Sequence, residues 1–91
     1  MNKLISSRKR IEKIDKKIAK LFEKRMLSVN EVYEYKKTNN IDTYDEKRES
    51  FLLEKNSQYI KNKDLIIYYQ EFQKSVMNIS KEYQNKRKNS N

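Results

Sequence analysis

The chain has 91 residues and a mass of 11.2 kDa, enough for one small domain, and we predict a single domain over residues 1–91. Glycine, cysteine and histidine are absent, which excludes glycine-rich phosphate loops, metal sites held by thiolate or imidazole, and Cys- or His-dependent nucleophilic catalysis. The net charge of +9 favours an anionic partner, such as a nucleic acid, a membrane surface or a small anionic substrate.

The first predicted element is one long helix over residues 2–37. At ~1.5 Å per residue this helix is ~50 Å long, which exceeds the diameter expected for a globule of this size. One chain could not cover its seam, so we predict a dimer. The seam positions alternate by three and four residues, a heptad pattern typical of a helix that faces a helical partner. They are Ile11, Ile14, Ile18, Leu21, Arg25, Ser28, Val32 and Tyr35.

A short second helix follows a polar break. The sequence Thr38-Asn39-Asn40 predicts the end of the first helix, since asparagine tolerates the left-handed conformation of a helix C-terminus. Thr43 and Glu46 fit a capping box, so the second helix is predicted to begin there and to run to about Tyr59. Acidic residues in its first turn suit the positive end of the helix dipole.

A third helix is predicted to start at residues 62–64. Its apolar positions again alternate by four and three residues, which places them on one face of a helix: Leu65, Tyr69, Phe72, Val76, Ile79 and Tyr83. Residues 85–91 contain no apolar side chain and are predicted to form a frayed tail. The predicted fold class is therefore all-α, with three helices per chain that are very long, short and long.

Three cations on the first helix are candidate functional residues. Arg25 occupies a seam position, where a buried guanidinium needs an anionic ligand, an ion pair with a glutamate, or a side chain that extends to solvent. Lys36 follows eleven residues later, only ~20° away around the helix, so the two cations share a face. Arg8 lies ~25 Å from Arg25 along the axis. It can therefore join the same site only from the other chain of a dimer, and is otherwise a solvated charge.

Two smaller clusters lie on the other helices. The first turn of the second helix contains two carboxylates and a guanidinium, from Asp45, Glu49 and Arg48. Instead of forming part of a functional site, these residues could cap the helix and form an exposed ion pair. Ser80 and Gln84 lie four residues apart on one face of the third helix, and alone they could be an ordinary polar flank.

Taken together, these residues resemble the all-α (AroQ-class) chorismate mutases. The resemblance extends from about Leu4 to Gln84. It departs from the family at the linker 39–44, which lacks a proline often found there, and at Gln73, where relatives more often have a large apolar side chain. The motifs that carry it are Arg8, the pattern Ile11-x-x-Ile14-Asp15-x-x-Ile18-x-x-Leu21-Phe22-x-x-Arg25-Met26, then Tyr35-Lys36-Lys37, Asp45-x-x-Arg48-Glu49 and Ser80-x-x-x-Gln84.

The resemblance implies an intertwined helical homodimer with two shared active sites. It also implies the Claisen rearrangement of chorismate to prephenate, in phenylalanine and tyrosine biosynthesis, without a metal or other cofactor. By matching position, Arg25 and Arg8 of the partner subunit would bind the two carboxylates of chorismate, and Ser80 would assist one of them.

The remaining matched residues would act on the rest of the substrate. Lys36 and Gln84 would donate to the ether oxygen, where negative charge grows as the bond breaks. Glu49 would accept a hydrogen bond from the substrate hydroxyl. Arg48 and Asp45 would line the pocket and orient the other groups.

Two other functions stay open at this point. One is a related lyase with the same fold that releases pyruvate from isochorismate, and the other is a basic helical module that binds nucleic acid or a partner protein. The mutase is favoured by four residues that match the pattern of the chorismate mutases: Lys36, Arg48, Glu49 and Gln84. Apart from tyrosine, apolar runs are no longer than three residues and no disulfide can form, so we expect a cytoplasmic protein without a membrane partner. Because the candidate cations lie on apolar faces and not on one exposed basic face, we expect no nucleic-acid partner.

Overall fold

The computed structural model describes residues 2–42 and 45–89, and within them all regular structure is helical. The predicted all-α fold with a very long, a short and a long helix is confirmed. In chain order the elements are α1 (Lys3–Thr38), α2 (Glu46–Ser57), a short 3₁₀ turn (Lys63–Leu65) and α3 (Ile66–Asn89).

Helix α1 has the ends that its sequence predicts. At its start the side chain of Asn2 accepts a hydrogen bond of 2.7 Å from the backbone N–H of Leu4. At its end Asn40 adopts a positive φ of 54°, and the N–H of Ile41 donates to the carbonyl of Lys36 at 2.8 Å. The polar break after this helix is therefore confirmed, and asparagine takes the left-handed conformation that glycine commonly provides.

Helix α2 starts on a different cap from the one predicted. Thr43 lies outside the described residues, and the N-cap is Asp45, whose carboxylate accepts from the N–H of Arg48 at 3.0 Å. The helix therefore begins at Glu46 with a carboxylate directly before its first turn, and that carboxylate satisfies the N–H group of Arg48. The helix ends at Ser57, two residues earlier than expected, in a tight turn whose N–H groups bond three residues back.

Near the predicted start of the third helix the chain forms the 3₁₀ turn, and α3 itself begins at Ile66 and extends further than predicted. Asn62 caps the 3₁₀ turn before it, accepting from the N–H of Asp64 at 3.0 Å. The helix then continues to Asn89, so the prediction of a frayed tail is wrong for residues 85–89, while residues 90 and 91 lie outside the described part. Near this end Arg87 contacts α1, where it pairs with Glu34 at 2.6 Å.

Helix α3 packs between the other two helices. It runs parallel to α1, because the contacts advance together along both helices, and antiparallel to α2, because there the contacts advance in opposite directions. In the described residues α1 and α2 do not pack against each other. The interhelical contacts are Arg25–Ser80, Val29–Gln84 and Glu34–Arg87 between α1 and α3, and Glu49–Lys81 and Ser57–Gln70 between α2 and α3.

The described chain buries very little apolar surface. Tyr33 and Met77 are its buried hydrophobic residues, whereas the seam residues Ile11 and Leu21 are 55% and 63% exposed. All of residues 8–24 are exposed, and the longest dimension of the molecule is 57 Å, close to the length of α1. The first half of the long helix is therefore uncovered in a single chain.

Candidate active site

The contact between Arg25 and Ser80 joins α1 to α3 at the centre of the candidate site. Arg25 is half-buried, and its Nη1 donates to the Oγ of Ser80 at 2.5 Å, while that hydroxyl donates to the carbonyl of Val76 at 2.9 Å. Ser80 itself is 8% exposed. The structure thus brings these two candidate residues into direct contact.

In the part of the chain that the structure describes, no carboxylate compensates the charge of Arg25. Among the described residues Arg25 forms no ion pair, so the glutamate partner considered from the sequence is not found there. Burial lowers the pKa of Arg25, and the neighbouring Tyr69 partly opposes this effect. Since Ser80 uses only one of several guanidinium donors and brings no charge, the group can still bind an anion.

Gln84 lies one helical turn beyond Ser80 and also faces α1. Its side chain is half-buried, and its Nε2 lies 3.5 Å from the carbonyl oxygen of Val29, a long and weak hydrogen bond. Ser80 and Gln84 therefore contact the same helix, in register with Arg25 and Val29. The alternative of a solvated polar flank does not describe these two side chains.

Glu49 joins the site from α2 through a contact that the sequence had not suggested. Its Oε1 lies 3.3 Å from the Nζ of Lys81, the residue directly after Ser80. The carboxylate is 25% exposed and the lysine side chain 33% exposed. The sequence carries only a weak signal for this pair, because their proximity depends on the antiparallel packing of α2 and α3.

Asp45 and Arg48 contact their own helix. Asp45 caps α2, as described above, which is the alternative role considered from the sequence. The guanidinium of Arg48 is exposed and lies 6.0 Å from the centre of the Phe51 ring, a cation–π distance. The structure thus places both residues at the start of α2, in the same turn as Glu49.

Lys36 and Arg8 lie at the two ends of α1. Lys36 is half-buried in the last turns, ~16 Å along the axis from Arg25 and on the same side of the helix. Arg8 is exposed and lies ~25 Å from Arg25 in the other direction. The described chain does not bring Arg8 to the other candidate residues.

The comparison with protein families connects these positions. The family model of the type II chorismate mutases matches residues 7–85, which include every candidate residue named above. The chain belongs to the type II chorismate mutase family. The resemblance found in the sequence is confirmed, whereas no curated protein and no solved structure matches the chain.

Within this family member, a second cluster between α1 and α3 was missed by the sequence analysis. Arg87 pairs with Glu34 at 2.6 Å, and its guanidinium lies 5.5 Å from the ring centre of Tyr33, which is only 3% exposed. A hydrogen bond with Tyr83 is the main cause that raises the pKa of Arg87, and the bond with Glu34 adds to it. The cluster fixes the end of α3 one turn beyond Gln84.

The described helices include none that is long and apolar enough to cross a membrane. This agrees with the short apolar runs of the sequence.

Proposed function

We propose that the chain is a chorismate mutase, an isomerase that converts chorismate to prephenate for phenylalanine and tyrosine biosynthesis. We further propose that it acts in the cytoplasm as a homodimer of single-domain chains. The observation that carries the proposal is the Arg25–Ser80 contact at 2.5 Å, inside a chain that matches the family over residues 7–85. A half-buried guanidinium that has no carboxylate partner among the described residues, at this position of the family pattern, suits a dianionic substrate.

Substrate binding would rely on two guanidinium groups. Arg25 would bind one carboxylate through donors that Ser80 does not use, with Ser80 holding the side chain in place. Arg8 of its own chain lies too far away, so Arg8 of the partner subunit would bind the second carboxylate. Holding both ends of a flexible dianion favours the compact conformer from which the rearrangement proceeds.

Catalysis would come from donors that face the ether oxygen. As the carbon–oxygen bond of chorismate breaks and the new carbon–carbon bond forms, negative charge develops on that oxygen. Lys36 and Gln84 would stabilise it there. Glu49 would accept a hydrogen bond from the substrate hydroxyl, while Arg48 and Asp45 would shape the pocket from the start of α2.

The direct test is product analysis with the purified protein. We expect loss of chorismate absorbance, with prephenate revealed as phenylpyruvate after acid treatment. We expect Arg25→Ala to abolish most of this activity. Arg10→Ala is the matched control, because Arg10 is an exposed arginine of the same helix whose side chain, among the described residues, bonds only to Ser7 at 3.1 Å.

The same assay separates the alternative reaction. Isochorismate is supplied in parallel, and pyruvate is measured. Pyruvate release from isochorismate without prephenate formation from chorismate would identify the lyase instead. Turnover of neither substrate by a folded protein would contradict an enzymatic role at this site.

A further inference from the structure

One carboxylate of the candidate site is held by a cation from another helix. Lys81 of α3 lies 3.3 Å from Glu49 of α2, and their side chains are 33% and 25% exposed. The other ion pairs among the described residues are more exposed: Lys74–Glu71 at 54% and 72%, and Arg87–Glu34 at 37% and 48%. The shielded pair is therefore the one that includes a candidate catalytic residue.

The position of Lys81 on α3 places it among the functional side chains. It directly follows Ser80, which bonds to Arg25, and it precedes Gln84 by three residues. Residues three apart lie on neighbouring parts of a helix surface, so one stretch of α3 contacts α1 and α2 together. Lys81 is thus the α3 residue that joins Glu49 to this group.

The charge of Glu49 poses a problem for a site that accepts a dianion. A half-buried carboxylate without a cation would repel the carboxylates of the substrate, and this repulsion is poorly screened away from water. A lysine at hydrogen-bond distance offsets that charge. It also fixes one carboxylate oxygen, so that the other can face the substrate hydroxyl.

We propose that Lys81 is a positioning residue of the active site, which orients Glu49 and compensates its charge toward the dianionic substrate. This inference rests on the proposed mutase function. A positioning role for Lys81 differs from a purely structural bridge between α2 and α3. Loss of such a bridge would lower the stability of the fold but leave the affinity for substrate unchanged.

The test compares steady-state kinetics of variants of the full-length protein. Lys81→Met keeps an unbranched side chain and removes the charge, and we expect its KM for chorismate to rise ~10-fold, as for loss of a hydrogen bond to a charged group. Lys81→Arg restores the cation, and its KM should stay within ~3-fold of the original value. Lys74→Met is the matched control, because it removes the same charge from an exposed ion pair of the same helix.

A double variant tests the link to Glu49. In a Glu49→Gln background there is no carboxylate charge to compensate, so adding Lys81→Met should change kcat/KM by less than ~2-fold. Equal effects of Lys81→Met and Lys74→Met on KM, or independent effects of Lys81→Met and Glu49→Gln, would overturn the inference. Circular dichroism of each variant verifies folding, and Lys81→Gln replaces Lys81→Met if the latter does not fold.

Failure of the proposed function gives a different result. If the unmodified protein does not convert chorismate, both the function and the role of Lys81 are rejected. If it does convert chorismate and Lys81→Met retains its KM, only the role of Lys81 is rejected.

Discussion

Arg25 and Lys36 are assigned different roles, the first in substrate binding and the second in catalysis. Arg25 would hold a carboxylate that is charged both before and during the reaction, whereas Lys36 would face an oxygen that becomes charged mainly in the transition state. We expect Lys36→Ala to lower kcat by ~100-fold or more, as for loss of an oxyanion-stabilising donor. Arg25→Ala should in addition raise KM, because ground-state binding is lost. Steady-state kinetics of both variants measure this difference, and a rise in KM alone for Lys36→Ala would contradict the assignment.

Gln84 provides a second test through pH. A carboxylate at this position would repel the developing charge on the ether oxygen unless it is protonated. We expect Gln84→Glu to be active at acid pH and to lose kcat as the pH rises through the pKa of the new carboxyl group. The pH profile of kcat checks this. An unchanged profile with full activity would mean that Gln84 does not contact that oxygen.

The buried Gln73 shows how a departure from the family pattern is accommodated. It is 6% exposed, and its Oε1 accepts a hydrogen bond of 3.1 Å from the hydroxyl of Tyr69, four residues earlier on the same helix. A buried amide that is hydrogen-bonded avoids most of the penalty of burial. The polar residue therefore fits within a regular α3, which carries Ser80 two turns later.

At the scale of helices, Asp45 connects the start of α2 to the site. Its carboxylate caps the helix by accepting from Arg48 N–H at 3.0 Å, directly before the turn that carries Glu49. We expect Asp45→Ala to lower the free energy of unfolding by ~1 kcal/mol, because an N–H group loses its partner. Asp45→Asn keeps a side-chain oxygen and should retain most of that stability.

Urea unfolding of the two variants measures the difference. Equal losses of stability for Asp45→Ala and Asp45→Asn would show that the charge of Asp45, rather than its capping oxygen, stabilises α2. A loss of activity in Asp45→Asn without a loss of stability would assign Asp45 a role in the pocket as well.

The whole molecule is too elongated for a single chain to cover its apolar seam. Residues 8–24 are exposed in the described structure, including Ile11, Ile14, Ile18 and Leu21. Burial of this apolar surface is the main driving force available for association. We expect the folded species to be a dimer at micromolar concentration, and sedimentation measures its mass. A stable helical monomer would contradict this prediction.

A shared active site adds a second test at this scale. Arg8 and Arg25 are ~25 Å apart along α1, so one ligand can contact both only across two chains. Arg8→Ala and Arg25→Ala should each be nearly inactive, but a mixture of the two should regain activity, since one site of each heterodimer keeps both arginines. Absence of recovery after demonstrated chain exchange would show that the two arginines belong to one chain's site or to none.

The sequence alone determined the three helices, the family and the order of the candidate residues. Helix periodicity, the cap at Asn2 and the break at residues 38–40 depend on neighbours within a few residues, so local rules predicted them. These features depend on which residues lie a few positions apart along the chain, and that spacing can be read from the sequence.

Only the tertiary structure decided which distant side chains meet. The pairs Glu49–Lys81 and Glu34–Arg87 join residues on different helices, and their contacts depend on the antiparallel packing of α2 and the parallel packing of α1 against α3. The same packing keeps residues 85–89 helical although they contain no apolar side chain. Long charged side chains can reach many partners, and their spacing along the sequence does not select one, so the relative placement of the helices makes that choice.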